Sequence, residues 1–252
     1  MTNRRILVTG GAKGIGREIV KALAAAGYDV DFTFAASGNA AAELERELRE
    51  RFPGQQFTTH AADLADRQAV ETLAGEVPRL PGLYGLVHSA GMSRDSLAAT
   101  ISQDSALELM QVNFWSLTRL AAAALRPMMR ARAGRIVAIG SAAALRGTQG
   151  NAAYAASKGA LASYMRTLAI ETASRGITAN TIAPGFVDTA MLAGYSDYRE
   201  KLEKLIPAGR FGYASEVAGL AAYLISPEAA YITGAEIVID GGLTVANPAR
   251  MS

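Results

Sequence analysis

Apolar positions along this chain follow two alternating rhythms. Short runs rich in β-branched residues occur at 6–8, 30–34, 56–59, 85–88, 135–139, 177–182 and 236–239, each too brief for an ordinary helix. Between them apolar side chains recur near a helical period, as in Ile15, Ile19 and Leu23, Leu44 and Leu48, and Leu161, Met165 and Leu168. Seven strands alternating with helices predict an α/β fold, a doubly wound seven-stranded parallel sheet with helices on both faces. No repeat, linker or charge block divides the chain, so residues 1–252 are expected to form one domain. Residues 189–209 break the alternation with Met191, Leu192, Tyr195, Tyr198, Leu202 and Leu205, the pattern of an amphipathic insertion able to cover a pocket.

Composition removes several classes of function. Half of the residues are hydrophobic and 19% are charged, the balance of a compact globule. Lys and Arg number 25 against 23 Asp and Glu, spread along the chain, so no basic stripe argues for nucleic acid. The basic start from Met1 to Arg5 is followed only by Ile6-Leu7-Val8, too short for a signal peptide, and no apolar run reaches the roughly 18 residues of a membrane span. The lack of cysteine excludes disulfides and thiolate metal sites and fits a cytoplasmic location. Two histidines, His60 and His88, cannot build a His-rich centre, so no metal is expected.

The first strand runs into Thr9-Gly10-Gly11-Ala12-Lys13-Gly14-Ile15-Gly16, where a helix begins. Glycines admit a pyrophosphate close to the backbone, and the helix start offers free N–H groups and a positive dipole end. A plain strand-to-helix turn is the alternative; the position after the first strand favours a dinucleotide-binding Rossmann fold. An acid about 20 residues further on would hold the ribose 2′-hydroxyl of NAD. Here the second strand ends Phe34-Ala35-Ala36-Ser37, with no acid to repel a 2′-phosphate, and Lys13 with Ser37 could bind one. NADP(H) is therefore preferred over NAD, with Asp31, inside the strand, read as a polar side chain on one face. Asp63, in Ala61-Ala62-Asp63-Leu64, fits either an adenine-edge hydrogen bond or a backbone cap, and Ala90 and Gly91 leave room for cofactor after the fourth strand.

Tyr154 and Lys158 lie one helical turn apart and share a face, while Ser141 ends the fifth strand at the sheet edge where such folds bind ligands. Reduction of a carbonyl needs a proton donor at oxygen. A tyrosine with an ordinary pKa of about 10 needs help, which the Lys158 ammonium and an oxidised cofactor's charge could supply. Asn113 alone reads as a polar residue that kinks a helix.

Thr9-Gly10…Gly14-Ile15-Gly16, Asn113, Ser141, Tyr154…Lys158 and Pro184-Gly185 together resemble the signature set of the short-chain dehydrogenase/reductase family, over essentially the whole chain. The resemblance implies that Ser141 polarises a substrate carbonyl, Tyr154 protonates it, Lys158 tunes Tyr154 and binds the nicotinamide ribose, and Asn113 holds a water in a proton relay. It places Pro184, Gly185, Val187 and Thr189 beside the nicotinamide. His88-Ser89-Ala90-Gly91 departs from the family's usual Asn-Asn-Ala-Gly. The stretches 147–154 and 231–242 resemble 3-oxoacyl-acyl carrier protein reductases, which implies a thioester substrate in fatty acid, polyketide or polyene synthesis and a homotetramer. Arg132 and Arg175 stand where the family contacts acyl carrier protein; each could instead complement a helix carboxyl end. A dehydrogenase of a free small alcohol, ketone or sugar stays open, and so does a non-catalytic NADP-binding regulator.

Overall fold

The computed structural model describes residues 4–192 and 198–246; Tyr195 and residues 1–3 of the basic start lie outside them. All seven expected strands form: β1 (Arg5–Thr9), β2 (Asp29–Phe34), β3 (Phe57–Ala61), β4 (Leu83–His88), β5 (Gly134–Ile139), β6 (Ile177–Pro184) and β7 (Glu236–Ile239). The helices are α1 (Gly14–Ala25), α2 (Gly38–Arg51), α3 (Arg67–Glu76), α4 (Gln103–Met110), α5 (Ser116–Ala131), α6 (Ala152–Thr172), α7 (Arg199–Glu203) and α8 (Ala214–Ile225). The strands join into one sheet in the order β3-β2-β1-β4-β5-β6-β7, parallel at every pairing.

Alternation along the inner strands sorts side chains onto two cores. On β1, Ile6 and Val8 enter one core with Ile19 and Leu23 of α1, Leu44 of α2 and Val217 of α8. Leu7 points the other way, to Val70 of α3, Leu120 of α5 and Leu161 of α6. Every residue of β1, β4, β5 and β6 is buried, as a sheet covered on both faces requires. The chain passes from α4 to α5 without a break, but through a widened π-turn at Gln111–Trp115 that contains Asn113. Such a turn is frequent at functional sites.

Charge is also buried in this sheet. Asp31, in the middle of β2, is 1% exposed and carries two partners: the Arg5 guanidinium and His60 Nε2, the latter at 3.1 Å. Asp29 adds a second carboxylate 3.5 Å from Arg5. This engagement explains why an acid can sit in β2 without reaching the crevice beyond the strand. The hydrogen bond that His60 donates to Asp31, reinforced by the carboxylate's charge, holds the His60 pKa above the ordinary 6.5 against the opposing effect of burial.

A raised folded-state pKa means that protonated His60 favours folding below its unfolded value of about 6.5, and that the benefit fades as pH rises through the folded value. His60→Gln is expected to lower the melting temperature most in mildly acid buffer, with the deficit shrinking toward alkaline pH. Asp31→Asn, which leaves Arg5 with only the longer contact to Asp29 as an ion pair, is expected to cost about 3 kcal/mol in urea unfolding.

Candidate active site

The chain leaves β1 toward β2 on one side, while β4 lies on the other, so a crevice opens at the carboxyl ends of β1 and β4. The loop that fills its floor tolerates little but glycine. Gly10 has φ +67°, and a Cβ there would lie 2.8 Å from Ala90 Cα. On Gly16 a Cβ would fall 2.2 Å from the Gly10 carbonyl oxygen, a backbone atom that cannot step aside. Lys13 precedes α1 in extended conformation with no side-chain cap on the helix, so the first-turn amides stay open to an anion. Thr189 faces this loop from across the crevice, its Cγ2 within 3.6 Å of where a Gly14 Cβ would stand, and Ile15 lines the opening.

At the end of β2, Ala35 and Ala36 are exposed, and Ser37 stands at the start of α2 without capping it. Lys13 is exposed nearby on the loop. After β3, Asp63 Oδ1 accepts from the Ala65 N–H at 3.0 Å, the backbone-capping geometry that was one of its two readings. Leu64 is buried in the core, and its carbonyl accepts from Gln111 Nε2 at 3.2 Å. At β4, the Thr9 hydroxyl accepts from the Ala90 N–H at 3.1 Å and lies 2.9 Å from His88 Nδ1. His88 thus supplies the local hydrogen bond where its sequence departs from the family. Burial, helped by the Lys158 charge, pushes its pKa down to about 3, which keeps the ring neutral.

The structure brings Asn113, Ser141, Tyr154 and Lys158 together. Ser141 follows β5, its hydroxyl accepts from the Ala143 N–H at 3.1 Å, and it lines the same cavity as Tyr154. Lys158 is 3% exposed, and its Nζ donates to the Ile139 carbonyl at 2.8 Å. Asn113 is fully buried: its Oδ1 accepts from Met92 N–H at 2.9 Å, and its Nδ2 donates to Met92 O at 3.0 Å and Ser157 Oγ at 2.9 Å. Ser157 passes the link on, donating to the Tyr154 carbonyl at 2.7 Å. A Cβ on Gly91 would come within 3.3 Å of both Lys158 Nζ and Asn113 Oδ1, so the absence of a side chain keeps this junction open.

Electrostatics here differ from the expectation in one respect. Burial is the largest influence on Tyr154 and raises its pKa, while the Ser141 hydroxyl pulls it back. Burial also disfavours the Lys158 ammonium and brings its pKa down to about 8.

These groups open onto one cavity of about 420 Å³, which Pro184, Gly185 and Val187 also line. Met191, Leu192, Leu202 and Leu205 of the 189–209 stretch form part of its wall. Two contributors escaped the sequence reading. Ser157 lies inside the Tyr154-to-Lys158 turn, where its spacing was the available signal, and Arg146 lies in the loop between Ser141 and Tyr154. Arg132 and Arg175 are elsewhere: they precede β5 and β6, at the amino-terminal edge of the sheet. Arg132 closes α5 in left-handed conformation, φ +50°, and its Nη2 donates to the Ser174 carbonyl at 3.0 Å. Among the described residues there is no cluster of metal-ligating side chains, and no helix is long and apolar enough to cross a membrane.

The chain has many relatives. A family model described as enoyl-(acyl carrier protein) reductase matches residues 10–244. The 3-oxoacyl-[acyl-carrier-protein] reductase FabG of Escherichia coli (strain K12) is 39% identical over 94% of this chain and 96% of its own length. Its namesake from Vibrio cholerae serotype O1 is 36% identical with the same coverage. Among solved structures, a short-chain dehydrogenase/reductase from Serratia marcescens BCRC 10948 superposes with a TM-score of 0.88 at 35% identity, covering 96% of this chain and 98% of that one.

Proposed function

Because the chain belongs to the short-chain dehydrogenase/reductase family, an oxidoreductase acting on CH–OH/C=O groups with a nicotinamide cofactor, we propose that it is an NADPH-dependent reductase of 3-oxoacyl thioesters presented by acyl carrier protein. The observation that carries this reading is the convergence of Ser141 and Tyr154 on the wall of one cavity, with Lys158 held one turn away. Two hydroxyl groups converging on one point suit a carbonyl oxygen. Ketone reduction is also the activity in the names of the FabG relatives, whereas the family model is named for enoyl reduction.

Gly10, Lys13, Gly14, Ile15 and Gly16 with the open amides of α1 fit a dinucleotide's pyrophosphate, and Pro184, Gly185, Val187 and Thr189 fit the nicotinamide end. When bound, the reduced nicotinamide supplies the hydride that goes to the substrate carbon. Ser141 holds the ketone oxygen, and Tyr154 passes its phenolic proton to that oxygen. Lys158, with a pKa near 8, is a stronger acid than the phenol and can return a proton to it. Asn113 fixes the turn that carries both groups through Met92 and Ser157, so its part in the proton path runs through that turn. The neutral end of β2, exposed Lys13 and the uncommitted Ser37 hydroxyl support the 2′-phosphate of NADPH. Asp63 and Leu64 border the adenine, and Met191, Leu192, Leu202 and Leu205, the described apolar residues of the 189–209 stretch at the cavity, cover the substrate. A homotetramer in the cytoplasm completes the assignment.

Arg132 and Arg175 contribute a docking surface for the acidic carrier. They stand a strand's length from Ser141, about 20 Å at 3.3 Å per residue. A carrier docked there must send its arm around the sheet edge or into an adjoining protomer.

Tyr154→Phe is expected to fold and bind NADPH but to lose at least about two orders of magnitude in turnover, the scale of general acid catalysis; near-normal turnover would reject the mechanism. In cofactor titrations NADPH is expected to bind more tightly than NADH, with Lys13→Ala narrowing the gap; equal efficiency with both cofactors contradicts the assignment. Charge reversal of Arg132 and Arg175 to Glu is expected to raise KM for a carrier-bound substrate, remove its salt dependence and spare a free thioester. Equal loss on both substrates, or none on either, rejects docking.

A further inference from the structure

The cavity contains a cation that the proposed chemistry does not use. Arg146 follows the single turn Ala142–Ala144 after Ser141, with its N–H bonded to the Ala142 carbonyl at 3.0 Å. Its guanidinium reaches across the opening, where Nη1 donates to the Leu243 carbonyl at 2.8 Å. Leu243 belongs to a small apolar cluster with Ile206 and Phe211, against which Phe186, Leu192 and Leu202 pack. Arg146 is therefore tied to the apolar wall of the cavity and not to the glycine loop.

Among the described residues no carboxylate lies within ion-pair distance of this guanidinium, whereas Arg5 in the core and Arg94 and Arg210 at the surface each have one. The charged groups that line the cavity with Arg146 are Lys158, held at Ile139, and Asp95, which is exposed. Arg146 is half-buried, so its charge is partly withdrawn from water without a compensating anion. One Nη is fixed by Leu243, which presets the plane of the fork, and a guanidinium offers several further N–H donors in that plane.

We propose that Arg146 is a specificity-determining residue that reads an anionic oxygen group, carboxylate or phosphate, on the substrate bound beside Ser141 and Tyr154. This rests on the ketoreductase reading and narrows it: a purely apolar acyl chain would leave the guanidinium unanswered. A carboxylate would come from the far end of the acyl chain, and a phosphate from the carrier's or coenzyme's arm. The fork geometry suits either, since each presents two oxygens to parallel N–H groups.

The test uses the full chain with NADPH and four 3-oxoacyl thioesters. Two N-acetylcysteamine thioesters differ only in a terminal carboxylate against a methyl ester, and two methyl-terminated thioesters differ only in a phosphorylated against an unphosphorylated pantetheine arm. The expected result is a kcat/KM preference for the anionic member of one pair of about ten- to a hundred-fold, the scale of a hydrogen bond to a charged group. The pair that shows it identifies the source. Arg146→Gln should collapse that ratio toward unity, with Arg146→Lys retaining part of it. No preference in the unmodified protein would show the guanidinium to be satisfied within the chain and overturns the proposal. So would an equal fall on both members in Arg146→Gln. If no thioester is reduced, the ketoreductase reading fails separately. The subsite is then read by calorimetric binding of the corresponding saturated, non-reducible thioesters, where an equal affinity for charged and neutral forms overturns it.

Discussion

Covering a parallel sheet on both faces leaves its carboxyl ends as the open edge, and the rest of this molecule follows from that constraint. The inner strands have no polar face to spare, so their chemistry is displaced to the residues just past each strand end. Gly10, Ser141 and Gly185 are such residues, from three strands, and His88 is the last residue of a fourth. The crossover helices then return the chain so that α1 begins, and α6 carries Tyr154 and Lys158, at that same edge. Placement here is a property of topology first and of side chains second.

The few ionisable groups inside the structure show how burial is used in two ways. In β2, a buried carboxylate is paired: Asp31 carries Arg5 on one oxygen and His60 on the other. Beside the cavity desolvation is left uncompensated. Lys158 has a carbonyl for a partner, not a carboxylate, and its pKa falls to about 8; His88 has a neutral hydroxyl and falls to about 3. A buried cation matched by a carboxylate would hold its proton too firmly to exchange it near neutral pH. The carbonyl of Ile139 orients the ammonium while leaving that exchange within reach.

The seven strands of a parallel sheet and the glycine loop at its edge were legible in the chain because strand and helical patterns differ sharply, and because the loop from Thr9 to Gly16 has few structural alternatives. Strand limits shifted by a residue or two, since Asp29 and Ala61 have polar or small side chains that an apolar pattern cannot register. The carboxylate of Asp31 could be excluded from cofactor duty only by seeing Arg5 and His60, which are far from it in sequence. The same is true of Ser157, whose value lies in joining Asn113 to Tyr154, and of Arg146, whose charge means little until the cavity around it is seen. The raised pKa of Tyr154 was hidden for another reason: motif spacing brings Lys158 close, but the sign of the net effect depends on how much water burial removes.

Burial that raises the Tyr154 pKa works against forming a phenolate but in favour of keeping the phenol protonated. A donor must hold its proton until negative charge develops on the oxygen it serves, and an early release to solvent would be wasted. Ser141 acts in the opposite sense, lowering the phenol's pKa against the effect of burial. With Lys158 the stronger acid beside it, the phenolate so formed has a proton source of lower pKa than itself. Under the proposed mechanism, the desolvation of these two side chains on one turn of α6 favours proton flow from Lys158 toward Tyr154 and the substrate oxygen.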